Sequence, residues 1–183
     1  MIFEPKSFIL KNGQDAILKT PSLEDAQKML GFITTACGET EFLARYPEEW
    51  SCISVESEEK WIKSARDSKS KLIVTCYISD EIVGNAEINF FSGYKTQHRA
   101  TLAIAILKDF WGLGIGSALF SELLSAASNH RGTEFAELEY IEGNERARAL
   151  YEKFGFQIVG ERPNAFRLRD GSYRSEIFMQ KKL

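Results

Sequence analysis

The sequence is poor in metal-ligating and oxidisable side chains, with three cysteines and two histidines. Cys37, Cys52 and Cys76 are odd in number and far apart, no Cys-x-x-Cys pair exists, and His98 and His130 are the only imidazoles. That leaves no disulfide framework and no zinc-ligand spacing. We expect buried free thiols in a reducing compartment and no metal site. Nothing in the spacing sets a cysteine beside a histidine for nucleophilic catalysis. No apolar run approaches the roughly 20 residues that cross a bilayer. The start, Met1-Ile-Phe-Glu-Pro-Lys6, lacks the basic and apolar regions of a secretory leader. The expected location is cytoplasmic. An excess of charge of one sign is missing too. The formal net charge is −3, so no general attraction to nucleic acid or anionic lipid is expected. Repeats, linkers and low-complexity tracts are absent, and residues 1–183 read as a single domain.

What is present is an alternation of strand-like and helix-like runs. A short strand is expected at 16–20. Ser22 caps a helix, with Asp25 three residues on, and Leu23, Ala26, Met29, Leu30 and Ile33 form its apolar stripe. Residues 37–54 are aperiodic and read as a loop or a broken helix. Ser57 starts a second helix carrying Trp61, Ile62 and Ala65. Strands follow at 72–78, at 82–91 with Gly84 as a bulge, from 98 or 100 to 107, at 136–142, at 156–160 and at 173–179. The last two flank a turn at Asp170-Gly171. The pattern is α/β with a mixed sheet.

Residues 111–117 read Trp-Gly-Leu-Gly-Ile-Gly-Ser and stand between a strand and a helix. Glycines let the chain turn tightly and bring bare N–H groups against a ligand. A helix beginning there adds unpaired amides and partial positive charge, so the segment is a candidate phosphate site. Glycine in such a turn can also be purely steric. No Gly-Lys-Ser/Thr follows, which excludes a P-loop nucleotidase. In the preceding strand, Leu102, Ile104 and Ile106 share one face. Thr101, Ala103 and Ala105 leave the other face small, with room for an apolar ligand arm or for a close helix. Farther on, residues 144–156 read Asn-Glu-Arg-Ala-Arg-Ala-Leu-Tyr-Glu-Lys-Phe-Gly-Phe. Asn144 is a good N-cap, Leu150 and Phe154 share a face, and Gly155 suits a left-handed C-terminal position.

The glycine turn, followed about thirty residues later by Asn144, Ala147, Leu150, Tyr151, Lys153, Gly155 and Phe156, resembles the GCN5-related N-acetyltransferase (GNAT) family in order and spacing. The resemblance covers roughly residues 82–182. It implies a single-domain GNAT-like fold, with a central mixed, mostly antiparallel sheet flanked by helices. It implies an acyltransferase that moves acetyl from acetyl-CoA, as cosubstrate, to a primary amine of a small molecule, protein or peptide. The amine attacks directly, without a covalent enzyme intermediate. A non-catalytic acyl-CoA-binding sensor or scaffold is the alternative.

By position, the resemblance assigns the pyrophosphate to the backbone of Gly112, Leu113, Gly114, Ile115, Gly116 and Ser117. It pairs the pantetheine amides with the backbone of Ile104, Ala105 and Ile106. Asn144 caps its helix and contacts the cofactor. Tyr151 contacts the cofactor and protonates the leaving thiolate. Many relatives carry a glutamate near Thr101, which cannot act as a base. Glu87 is therefore our first choice for proton acceptor, ahead of Glu137 and Glu139. Trp111 stands where arginine or glutamine is frequent, and is expected to pack under the turn.

The acceptor is not legible, and a homodimer remains open. Residues 39–50 carry Glu39, Glu41, Glu48 and Glu49 with Phe42, Tyr46 and Trp50 among them. An acidic, aromatic loop of this kind would draw in a cationic amine.

Overall fold

The computed structural model describes residues 1–183. Its strands are β1 (Lys6–Ile9), β2 (Asp15–Lys19), β3 (Lys71–Ile78), β4 (Glu81–Phe90), β5 (Arg99–Ile106), β6 (Phe135–Ile141), β7 (Gln157–Arg167) and β8 (Tyr173–Lys182). Its helices are α1 (Ala26–Gly38), α2 (Pro47–Trp50), α3 (Val55–Asp67), α4 (Ile115–Asn129) and α5 (Glu145–Lys153). All eight strands join one open sheet in the order β1-β2-β3-β4-β5-β6-β8-β7. Every pairing is antiparallel except β5 with β6. This is the mixed α/β sheet flanked by helices that the sequence implied.

Apolar side chains leave both faces of the sheet, so both are covered. Val74, Ile88 and Leu138 meet Leu119, Phe120 and Leu123 of α4 in the larger core. Ala26, Met29 and Phe32 of α1 and Ile62 of α3 meet Tyr77 and Ile82 in a smaller core. At Gly84 the start of α4 packs directly on the backbone. A Cβ there would lie 3.1 Å from Ile115 Cγ2, beside the irregularity at Cys76/Tyr77 where β3 and β4 change register. The expected bulge is therefore real, and it lets the helix seat.

Several boundaries moved. The second helix begins at Ser54, not Ser57: the Ser57 N–H donates to Ser54 Oγ (3.2 Å). The earlier start brings Glu58 into the buried stripe with Ile62 and Ala65. Ser22 opens a 3-10 turn (Leu23–Asp25) ahead of α1, with Asp25 bonded back to it. The stretch 37–54 is a broken helix, contributing the end of α1 and all of α2. β1 is a mostly exposed edge strand that the pattern did not mark. β7 runs well beyond residue 160, because register irregularities between Arg162 and Phe166 absorb Pro163, which has no N–H for a ladder.

One departure from regularity positions the site. β5 and β6 pair only at Arg99–Thr101 against Phe135–Glu137, then separate. β5 goes on pairing with β4, and β6 with β8. A V-shaped gap opens in mid-sheet, leaving Ala103 exposed on a central strand.

Candidate active site

The gap between the two parallel strands opens into a cavity of about 630 Å³. Leu102–Ile106 wall one side, the glycine turn closes one end, and Asn144, Leu150 and Tyr151 of the α5 segment close the other side. Every residue the sequence assigned to the cofactor lines this cavity except Leu113, whose carbonyl is taken by the Lys11 N–H (3.1 Å).

The turn works through backbone conformation. A 3-10 turn (Lys108–Phe110) leads into Gly112 at φ +77° and Gly114 at φ +100°, the N-cap of α4. Both values lie where a Cβ is strained. The Ala118 N–H donates to Gly114 O (3.0 Å) and closes the first helical turn. The amides before it are the unpaired first-turn donors of a helix. Gly116 has a different job. A Cβ there would meet Leu150 Cδ2 at 3.1 Å and Ile106 Cδ1 at 3.4 Å, so it lets α4 approach α5 and β5.

Positive side chains surround the turn. Arg146 stacks on the Trp111 ring (4.5 Å to the centroid), and Lys11 and Arg146 both line the cavity. Lys153 donates to Ser117 Oγ (2.9 Å). The cation missing at position 111 is thus restored from α5. Trp111 packs as expected, its Nε1 donating to Ile106 O (2.7 Å). That carbonyl is therefore already engaged; Ala105 pairs with Asn85 of β4, so Ile104 is the residue whose backbone turns to the gap.

Asn144 caps α5, its Oδ1 accepting from the Ala147 N–H (3.1 Å). Gly155 (φ +84°) ends the helix, and Phe156 folds back toward Tyr151 and Phe120. Tyr151 is buried, with its ring stacked on Phe120 (5.2 Å). Desolvation, helped by the charge of Glu139, pushes its phenol up, and no hydrogen bond contributes to that shift.

A second cavity, of about 560 Å³, lies on the other face of the sheet under α1 and α3. The two cavities share Leu43, Ala44, Ala103, Ile104 and Ala105, so they meet where β5 has lost its neighbour. Glu87 lines the second cavity, but both its oxygens are held: Oε2 lies 3.0 Å from Lys71 Nζ, and Oε1 accepts from Asn89 Nδ2 (3.0 Å). Glu137 is engaged by Gln180 (2.9 Å) and faces Arg99 at 3.5 Å. Glu139 opens on the first cavity. Desolvation, then the charges of Glu176 and Glu137, push its carboxyl up. Sequence reasoning missed Glu58, Lys71 and Arg45, which line the second cavity, and Lys11 and Arg146, which line the first.

Three of the four glutamates in the acidic loop are engaged within the protein. Glu39 accepts from the Lys108 N–H (2.7 Å) and Glu49 from the Tyr46 N–H (2.8 Å). Glu48 is bidentate with Arg169 (2.7 and 2.6 Å). None of the four loop glutamates lines either cavity. The charged group the loop does present there is Arg45, stacked at 5.0 Å over Trp50. Of the cysteines, Cys37 and Cys76 are buried as expected, but Cys52 is exposed.

Known proteins share the family signature and the fold. The profile of the acetyltransferase (GNAT) family matches residues 39–156. The L-amino acid N-acetyltransferase AaaT of Escherichia coli (strain K12) is 27% identical over 124 residues, which is 67% of this chain and 75% of that protein. An acetyltransferase of the GNAT family from Streptococcus pneumoniae has a TM-score of 0.85 at 22% identity, covering 92% of this chain and 99% of that one. A putative acetyltransferase from Salmonella typhimurium, solved with its cofactor acetyl-CoA, has a TM-score of 0.77 at 15% identity, covering 92% and 94%. At those identities the structures speak for the fold.

Proposed function

This chain belongs to the acetyltransferase (GNAT) family, and on that premise we propose that it moves acetyl from acetyl-CoA directly to the primary amine of a small molecule or peptide. The observation that carries this reading is the meeting of two cavities at Ala103–Ala105 through the gap between β5 and β6. One cavity has the features of a thioester donor site and the other is open to an amine, so donor and acceptor reach one point from opposite faces. The amides of the glycine turn, with Lys11 and Arg146, hold the pyrophosphate. The backbone of Ile104, which turns from β4 toward the gap, pairs with the amides of the pantetheine arm. Tyr151 gives the departing thiolate its proton. The attack needs no enzyme nucleophile. Cys37 is the one thiol lining either cavity, and burial pushes it up, which keeps it protonated and a poor nucleophile.

The acceptor cavity carries both signs of charge, with Glu58 and Glu87 against Lys71 and Arg45. That balance suits an amine that also bears a carboxylate, and the name of the Escherichia coli relative supports an amino acid. The test is acetyl-CoA turnover, read as thiol release, over the common L-amino acids, polyamines and short peptides. At least one amine should be acetylated, amino acids ahead of polyamines. A protein that binds acetyl-CoA and acetylates nothing would instead be a non-catalytic sensor.

A further inference from the structure

Glu58 is 8% exposed, in the first turn of α3. Buried carboxylates are normally paired. This one has no ion pair or hydrogen bond: the influences on it are desolvation and the more distant charge of Lys71. Its oxygens are not sealed in the protein, and it lines the acceptor cavity. An unpartnered acid facing a cavity is a group waiting for a ligand.

Its charged and titratable surroundings are few. β3 brings Lys71, committed to Glu87 and lying 4.7 Å over the Trp61 ring. β4 brings Glu87, held on both oxygens. The segment after α1 brings Arg45, and α1 brings the Cys37 thiol among Met29, Phe32 and Ile33. From its own helix come Ser57 and Trp61. Of the two carboxylates in the cavity, Glu58 is the free one.

We propose that Glu58, not Glu87, receives the acceptor's ammonium and takes its proton, directly or through one water, while the Glu87–Lys71 pair shapes the cavity. The inference rests on the N-acetyltransferase reading above. The Glu58 carboxylate removes one proton from the ammonium. The freed nitrogen lone pair forms the C–N bond at the thioester carbonyl, and the C–S bond breaks. Tyr151 passes a proton to the thiolate and regains one from the new amide nitrogen. Glu58 then releases its proton to water. Burial pushes the Glu58 carboxyl up, toward the pH at which a base works best, with Lys71 pulling the other way.

The experiment measures kcat/KM against pH with acetyl-CoA and the best acceptor from the amine panel, for wild type, Glu58→Gln, Glu58→Asp and Glu87→Gln. Wild type should show an acidic limb. Glu58→Gln should lose that limb and fall about 10²-fold or more on the plateau, with acetyl-CoA affinity kept. Glu58→Asp should recover part of the rate. Glu87→Gln should keep the limb while the acceptor KM rises. A carboxyl raised by folding adds stability that is present below its unfolded value and lost as pH rises through its folded one. At neutral pH Glu58→Gln should therefore melt no lower than wild type. Independently, the Glu58 carboxyl followed by carbon NMR in wild type should titrate with the kinetic limb. A Glu58→Gln variant that keeps limb and plateau, or a carboxyl that titrates apart from the limb, overturns the proposal. Loss of the limb in Glu87→Gln alone assigns the proton to Glu87. A wild type that binds acetyl-CoA and acetylates no amine overturns the parent reading as well.

Discussion

In the proposed reaction Tyr151 has to stay protonated until sulfur leaves, and its surroundings favour that. Ring contacts with Phe120 (5.2 Å), Tyr140 (6.0 Å) and Phe156 (6.3 Å) remove water from it, and Glu139 opposes a phenolate. Burial makes the phenol a weaker acid, but it acts on a departing thiolate in the same way. Cys76, buried in this fold, shows the size of the effect, its thiol being pushed up to about 12. Tyr151→Phe keeps the ring contacts and removes the donor. We expect single-turnover thiol release to slow by about 10²-fold, with acetyl-CoA affinity unchanged. An unchanged single-turnover rate would remove Tyr151 from the chemistry.

The glycine turn acts as an element, and its glycines are not equivalent. At Gly114, with φ +100° at the N-cap of α4, a side chain forces the backbone out of the conformation that aims the amides. Gly114→Ala should lose about 1–2 kcal/mol of stability, and acetyl-CoA affinity should drop about tenfold, equivalent to 1.4 kcal/mol. Denaturant melts and calorimetric titration check the two figures. Gly116 differs because its missing Cβ faces Leu150 and Ile106, not the phosphate path. A side chain there disturbs the seating of α4 on α5 before it obstructs any ligand. Bulk at Gly116 therefore acts on phosphate binding indirectly, through packing.

At the scale of the whole molecule, the sheet is held together on one side of the gap by β4 and on the other by β8, with α4 packed across β3, β4 and β5. A ligand that fills the gap replaces the strand pairing that β5 and β6 gave up. Acetyl-CoA at one hundred times its Kd should stabilise the fold by about 2.7 kcal/mol. For a chain of this length that raises Tm by roughly 5–11 °C. Scanning fluorimetry with and without acetyl-CoA measures it, and no shift at saturating concentration would argue against the gap as the donor site.

Features that depend on neighbours in the chain were legible from the sequence. Gly112 and Gly114 are glycines because their φ values are positive, and Asn144 caps the third amide after it; such constraints act within a few residues. Strand and helix periodicity likewise gave the α/β class and most elements, with errors at ends such as Ser54, where a cap competes with a second serine three residues on. Tertiary structure alone decided what lies across the sheet. The β5–β6 pairing stops after three residues, a matter of register and helix seating that no local pattern encodes. The acids of the 39–50 loop read as an open negative surface until Arg169 and the Lys108 amide, distant in sequence, arrive beside them. Nothing in the sequence singles out Glu58, because its burial depends on β3, β4 and α1 closing over it. Local backbone geometry is written residue by residue. Which charges are paired, and which is left facing a cavity, is settled only when distant segments are brought together.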